Sequence, residues 1–312
     1  MLRVAEFLAL ELPAPKAFYS NKACLTGLTN DYEAIMDNKN SSFDSITVEG
    51  LTQQIVAGSY DYELDNLSHF GKGWTGRLDK KPSSAAVILA GGSGERFGNT
   101  GGKMLVEING RPMLTWSLQT FNAVGDVGAI VVVCPKDKQE EYARVAIDPY
   151  EFAKPVIMAN AGEIRQESAF LGLESVPDEF EIVVLHDGAR PLVSPNLIAH
   201  TINVLKGNVD ADGVLVAHPS VDTLKIVENG VVLGTPDRSV FWNAQTPQVF
   251  RTGLYRRAHA LALSDGFIGT DDSSLVERMG GKIIVVEGKR DNLKLTVPED
   301  FSLLEAAVRK KL

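Results

Sequence analysis

The sequence has little cysteine, no long apolar run and no surplus of positive charge. Its two cysteines, Cys24 and Cys134, lie far apart and form no metal-ligand spacing. So few in a chain of this length point to a reducing, cytoplasmic compartment. Cys134 closes the apolar run from Ala129, which predicts a buried thiol. No segment approaches the roughly 18 uninterrupted apolar residues of a membrane-spanning helix, so no membrane association is expected. Asp and Glu number 40 against 31 Lys and Arg, a net charge of −9. Such a surface repels phosphate backbones and argues against nucleic acid as a partner. Any anionic ligand must then be held by a local cationic cluster.

What is present is an ordinary globular composition, with 44% hydrophobic and 23% charged residues, enough for a sizeable core. The length of 312 residues allows one or two domains at roughly 150 residues each. Residues 1–82 read as an N-terminal extension, partly disordered or linker, with polar stretches at 37–45 and 66–84. The segment Arg3 to Leu12 has helical periodicity, but Glu6 and Glu11 interrupt it, so it does not read as a signal peptide. Residues 1–82 carry no assignable chemistry.

From Ser83 onward short apolar runs alternate with segments of helical period. Strands are expected at 85–90, 129–134, 155–158, 181–185, 213–217 and 282–286. Helices are expected at 113–124, 138–146, 164–174, 195–205, 253–263, 271–279 and 298–311. This rhythm predicts an α/β fold, a mostly parallel sheet with helices on both faces. Residues 223–234 break it, because Asn229-Gly230 between two short apolar stretches predicts a tight β-hairpin.

Three segments carry candidate chemistry. The first follows the first strand: Leu89-Ala-Gly91-Gly92-Ser-Gly94-Glu-Arg96-Phe-Gly98, then Lys103. Glycines let a backbone approach phosphates, and Arg96 and Lys103 add charge beside that nest. A phosphate site at a strand end is the physical reading; a glycine-rich turn with ordinary surface charges is the alternative. A Walker-type loop is excluded because Lys103 is followed by Met104 and position 97 is Phe. A nicotinamide-type site is disfavoured because the second strand ends in Cys134-Pro135, without the ribose-binding acid. The second segment is His186-Asp187-Gly-Ala189-Arg190-Pro191, at another strand end. Asp187 suits a magnesium ion and Arg190 a phosphate; an internal Asp–Arg pair is the competing reading. His186 is expected to be packed or hydrogen-bonded rather than a general base. The third group is scattered: Arg165, Ser168, Asp222-Thr223-x-Lys225, Asp237-Arg238, Gln245-Thr246-Pro-Gln248, Thr270-Asp-Asp272 and Asn292-x-Lys294.

These motifs, in this order, resemble the 2-C-methyl-D-erythritol 4-phosphate cytidylyltransferases from about Ala85 to Leu312. The resemblance implies a Rossmann-like nucleotidyltransferase domain over residues 83–312, with a protruding β-hairpin arm at about 219–240. It implies attack of a sugar-alcohol phosphate on the α-phosphorus of CTP with a divalent cation, normally Mg²⁺, held near Asp187. By the same resemblance Arg96 and Lys103 stabilise the transition state, and Arg238 and Lys294 grip the acceptor phosphate. Ala90, Gly91, Gly92, Ser93, Gly94, Arg165, Ser168, Asp187 and Ala189 would bind nucleotide. Arg190, Thr223, Thr246 and Thr270 would bind substrate. The arm would reach across a homodimer. The sequence departs from the family at Gly102-Lys103-Met104, where Pro-Lys-Gln is usual. A ribitol-5-phosphate or other polyol-phosphate cytidylyltransferase and a non-catalytic nucleotide-binding protein are the alternatives.

Overall fold

Small and β-branched residues build the centre of the protein. The computed structural model describes residues 81–92 and 102–311. The N-terminal extension up to residue 80, and with it Cys24, falls outside the described residues. So do Ser93, Gly94, Arg96 and Gly98 in the glycine loop.

The chain opens with β1 (Ser84–Leu89), a short hairpin of β2 (Glu107–Ile108) and β3 (Arg111–Pro112), then α1 (Met113–Asn122). Next come β4 (Val127–Cys134), α2 (Gln139–Tyr142), β5 (Val156–Asn160), α3 (Arg165–Glu174), β6 (Ile182–Asp187), α4 (Pro195–Gly207) and β7 (Gly213–Pro219). The arm strands β8 (Ile226–Glu228) and β9 (Val231–Gly234) precede β10 (Trp242–Arg251), α5 (Thr252–Ser264), α6 (Ser273–Arg278), β11 (Ile283–Glu287) and α7 (Asp300–Lys311).

Seven strands form one sheet in the order β11-β7-β10-β6-β1-β4-β5. All neighbours are parallel except β10, which runs antiparallel to both β6 and β7. Side chains alternate across the sheet. Ala86 and Ile88 of β1 face a cluster with Leu114, Leu118, Ile198, Ile202, Leu304 and Val308 from α1, α4 and α7. Ala85, Val87 and Leu89 face Ala169, Leu173, Tyr255, Ala258 and Val276 from α3, α5 and α6. Burying each Val, Leu or Ile side chain contributes about 1.5–3 kcal/mol, so these two apolar layers hold the helices to both faces. At Gly172 a Cβ would lie 2.5 Å from Val87 Cγ1 and 2.6 Å from Val133 Cγ2. Glycine there brings α3 close against β1 and β4.

Three elements differ from the sequence reading. The expected helix at 138–146 is a 3-10 turn (Lys136–Lys138), the single turn α2 and a π turn (Ala143–Ile147). The hairpin of β2 and β3 was not anticipated, although Asn109 and Gly110 have the positive φ values, 53° and 73°, of a tight turn. Strand β10 covers a segment whose sequence predicts a motif but no strand. It is the strand that inserts antiparallel into the parallel sheet.

The predicted arm is present. Asn229 and Gly230 have φ values of 50° and 79°, as a two-residue hairpin turn requires. Val227, Val231, Val232 and Leu233 on it are each half-exposed or more. Cys134 is buried as expected, and burial pushes its thiol up to about 11. Among the described residues no helix is long and apolar enough to cross a membrane.

Candidate active site at the carboxyl ends of the strands

Strand order turns back at β1, with β4 on one side and β6 on the other. Ligands bind at such places, beyond the carboxyl ends of the strands. Leu89 lies directly opposite Asp187, and the Gly188 N–H donates to the Leu89 carbonyl at 3.0 Å. The glycine segment and the His186–Arg190 segment therefore emerge side by side. At Gly91 a Cβ would meet Ala161 Cβ at 2.4 Å, with the Ser168 hydroxyl 3.7 Å away. Only glycine lets the loop after β1 pass the loop that opens α3.

Asp187 is the centre of the arrangement. Its Oδ2 accepts from Lys294 Nζ at 2.8 Å, and its Oδ1 faces the Arg165 guanidinium at 3.4 Å. Arg190 Nε lies 3.7 Å from Oδ2. Burial acts to raise the Asp187 pKa, but Arg165, Lys294 and Arg190 overcome it and hold the carboxyl well below its usual range. Asp187 is therefore ionised at neutral pH. Arg165 also meets Asp272 Oδ2 at 2.7 Å.

The backbone of Asp187 is fixed as well. Its N–H donates to the Thr246 hydroxyl at 3.0 Å, and that hydroxyl lies 3.0 Å from His186 Nδ1. His186 Nε2 is 3.2 Å from the Arg190 carbonyl. A carbonyl only accepts, so Nε2 carries the proton and Nδ1 accepts from Thr246. Burial pushes His186 down to about 4, which keeps it neutral. It is a bonded core histidine, as the sequence suggested.

Thr246 reaches this position through an irregularity in β10. Ala244 pairs with Ala217 and Gln248 with Leu215, so residues 245–247 stand opposite one residue of β7. Pro247 cannot donate to a ladder, and the extra residues turn toward β6. Asn292 then ties the last loop to this bulge, donating to the Thr246 carbonyl at 2.9 Å and to Gln245 Oε1 at 3.3 Å. Arg190 Nη1 donates to the Asn292 carbonyl at 2.7 Å. The Ala189 carbonyl accepts from Leu295 N at 2.9 Å, and the Leu295 carbonyl accepts from Lys103 Nζ at 3.0 Å. Lys103 and Lys294, distant in sequence, are thereby joined to one short segment beside Asp187.

The structure thus gathers Lys103, Arg165, Asp187, Ala189, Arg190, Thr246 and Lys294. Several of them have partners within the protein. Arg190 was expected to contact a phosphate; its side chain is only 11% exposed and faces Asp187 and the Asn292 carbonyl. Thr246 is buried and bonded to Asp187 and His186 rather than open to a substrate. Ala90 has both backbone groups engaged, its N–H with Val133 O and its carbonyl with Tyr142. Gly91 is half-buried and Gly92 exposed. Ser168 bridges the Gly162 N–H and carbonyl.

Two expected residues lie apart, on the arm. Arg238 is exposed and donates to the Val221 carbonyl at 2.7 Å. Thr223 is exposed near it. Thr270 is exposed in the loop before α6. The sequence singles out Asp272 as part of the Thr270-Asp-Asp272 segment without a role, and gives no sign of Tyr255. The Tyr255 hydroxyl donates to Asp272 Oδ1 at 2.7 Å, a contact that no spacing announces.

Four cationic side chains and two carboxylates leave the strand ends positive on an acidic protein. Preplaced cations in a partly buried site suit a ligand bearing several phosphates and the charge that develops during phosphoryl transfer.

A family model described as 2-C-methyl-D-erythritol 4-phosphate cytidylyltransferase matches residues 84–310. The enzyme of that name from Syntrophotalea carbinolica is 40% identical over 221 residues, covering 70% of this chain and 94% of its own length. That from Geobacter metallireducens is 38% identical over 230 residues, 73% of this chain and 98% of its own. The crystal structure of 4-diphosphocytidyl-2C-methyl-D-erythritol synthase from Anaerococcus prevotii superposes with a TM-score of 0.65 at 31% identity. It covers 74% of this chain and 100% of that one.

Proposed function

Given that the chain belongs to the 2-C-methyl-D-erythritol 4-phosphate cytidylyltransferase family and transfers a cytidylyl group from CTP to that acceptor, we propose that it does so by in-line displacement within the cation cluster at the strand ends. An acceptor phosphate oxygen attacks the α-phosphorus of CTP. The bond from that phosphorus to the bridging oxygen breaks, and pyrophosphate leaves with the electron pair. No side chain is needed as nucleophile. The protein aligns two anions and neutralises charge as it spreads over the α-phosphoryl oxygens.

Lys103, with Arg96 beside it in sequence, serves the α-phosphoryl group. Lys294 serves the acceptor phosphate, anchored between reactions by Asp187 Oδ2. Arg165, one-third exposed on its side chain, serves the nucleotide. Arg190, Thr246 and His186 hold Asp187 in place. The observation that carries this reading is the meeting of Lys103 and Lys294 on one segment beside an ionised Asp187.

Magnesium is bound by one or two carboxylates together with phosphate oxygens. Among the described residues no cluster of three or more potential metal ligands forms, and the ionised Asp187 is the carboxylate at the strand ends that suits such a partial shell. When bound, the ion would neutralise triphosphate charge.

The arm supports a homodimer. Val227 and the paired Val232 are exposed on one face of the hairpin and Val231 and Leu233 on the other, and Val240, Phe241 and Trp242 that follow are exposed as well; a second copy would bury such apolar side chains. In such a dimer Thr223 and Arg238 would serve the partner's site. A mixing experiment tests this. Lys103→Ala and Arg238→Ala are each expected to be nearly inactive. Mixed and allowed to exchange, they should regain about a quarter of wild-type activity, since half the random pairs carry one intact site. Mixtures no more active than the separate variants would contradict an arm that crosses between subunits.

A further inference from the structure

Arg165 is the first residue of α3 and bridges two carboxylates from different elements. The nearer partner is Asp272 Oδ2, at 2.7 Å, against 3.4 Å for Asp187 Oδ1. Asp272 is 1% exposed, whereas the Arg165 side chain is 33% exposed. Buried carboxylates persist only when their oxygens are satisfied. Here Arg165 takes one oxygen and the Tyr255 hydroxyl the other, at 2.7 Å. Tyr255 is itself wholly buried, stacked on Phe250 with ring centres 4.7 Å apart and edge-on to His259 at 4.5 Å. Its hydroxyl is therefore fixed by β10 and α5. A rigid line runs from the core through Tyr255 and Asp272 to a guanidinium that emerges at the strand ends. Asp272 is too deeply buried to meet a substrate, so whatever it contributes passes through Arg165.

We propose that Asp272 and Tyr255 are positioning residues, which hold Arg165 in the orientation that receives the nucleotide phosphates and faces Asp187. The inference rests on the nucleotide role of Arg165 proposed above. An arginine held only by the longer contact to Asp187, at 3.4 Å, would spread over more rotamers, and the cost would fall chiefly on CTP. Asp272→Asn keeps the shape and an acceptor for Tyr255 but removes the charge-assisted bond. Its KM for CTP should rise about 10–100-fold, the range for one such bond, with KM for 2-C-methyl-D-erythritol 4-phosphate unchanged. Tyr255→Phe keeps the stacked ring and should raise the KM for CTP about 2–10-fold. It carries the test alone should Asp272→Asn fail to fold. In an Arg165→Ala background Asp272→Asn should add no further loss, because a residue that acts only through its partner gives a fully coupled double-mutant cycle.

A lowered melting temperature with both KM values unchanged would show that Asp272 and Tyr255 only support the fold, and would overturn the proposal. Additive losses in the cycle would also overturn it. If Arg165→Ala itself leaves the KM for CTP unaltered, the nucleotide role of Arg165 fails, and this inference with it.

Discussion

Replacing Asp187 by Asn removes the negative charge that Arg165, Arg190 and Lys294 share, while the backbone bond to Thr246 survives. Deleting one partner of a buried ion pair costs about 3–5 kcal/mol, because the other charge is left without compensation. Asp187 and the Arg190 side chain are both largely buried, but Arg165 and Lys294 are 33% and 36% exposed. Water screens their share, so the lower end of the range, about 3 kcal/mol, applies. For a domain of this size that lowers Tm by roughly 6–12 °C. The pH dependence has a definite sign. Burial favours the neutral acid, but the cations win and hold the folded pKa below the unfolded value. The ionised form thus stabilises the fold above about pH 4 and loses that effect as pH falls through the folded pKa. The gap in Tm between wild type and variant should be constant from about pH 5 to 8 and should narrow in stronger acid. Inorganic pyrophosphate should raise the Tm of the variant more than that of the wild type, since Arg190 and Lys294 there lack their counter-charge while Arg165 keeps Asp272. Thermal melts followed by circular dichroism measure all three quantities. A gap below about 1 °C, far under the expected range, or one that widens in acid, would refute the account of the cluster.

Other predictions follow from single features. Lys103→Ala should retain the fold and lose about 10²–10³ in kcat, the effect of one preplaced charge donor; near-wild-type turnover would remove Lys103 from the chemistry. His186 and His259 are both pushed down by burial to about 4. The unfolded chain therefore takes up protons first as pH falls below about 6.5, and stability declines from there to about 4. His259→Phe should flatten part of that decline in urea titrations at pH 7 and pH 5, by about 1–3 kcal/mol; an unaltered slope would contradict its burial as a neutral group. Gly172→Ala should destabilise by about 1–3 kcal/mol through overpacking between α3 and the sheet, measured by urea unfolding; a neutral effect would show that α3 can move away.

Most of the parallel sheet was legible in the sequence. Runs such as Ala85 to Leu89 and Val131 to Val133 are apolar because both faces of those strands are covered, and that pattern survives without knowledge of the fold. Strand β10 escaped because it breaks the pattern for a reason. It starts at exposed residues on the arm side, and its middle carries Gln245, Thr246 and Pro247 to form the bulge that fixes Asp187. The helix at 138–146 had the right position but not the right winding. At the site, the strand-end location of the His186 to Arg190 segment was readable from the apolar run before it. The division of labour within the segment was not. Arg190 turns inward and Arg165 outward according to which carboxylates and carbonyls the fold sets beside them. Asp272 meets Arg165 and Tyr255 only because α5 packs against both α3 and α6, and no local spacing encodes that.

The most direct test is pyrophosphate release by the purified full chain, with CTP and each candidate acceptor in turn. Robust release should require both CTP and 2-C-methyl-D-erythritol 4-phosphate, and it should collapse in Lys294→Ala. Release with ribitol 5-phosphate but not with the methylerythritol phosphate, or undiminished release in Lys294→Ala, would contradict the account.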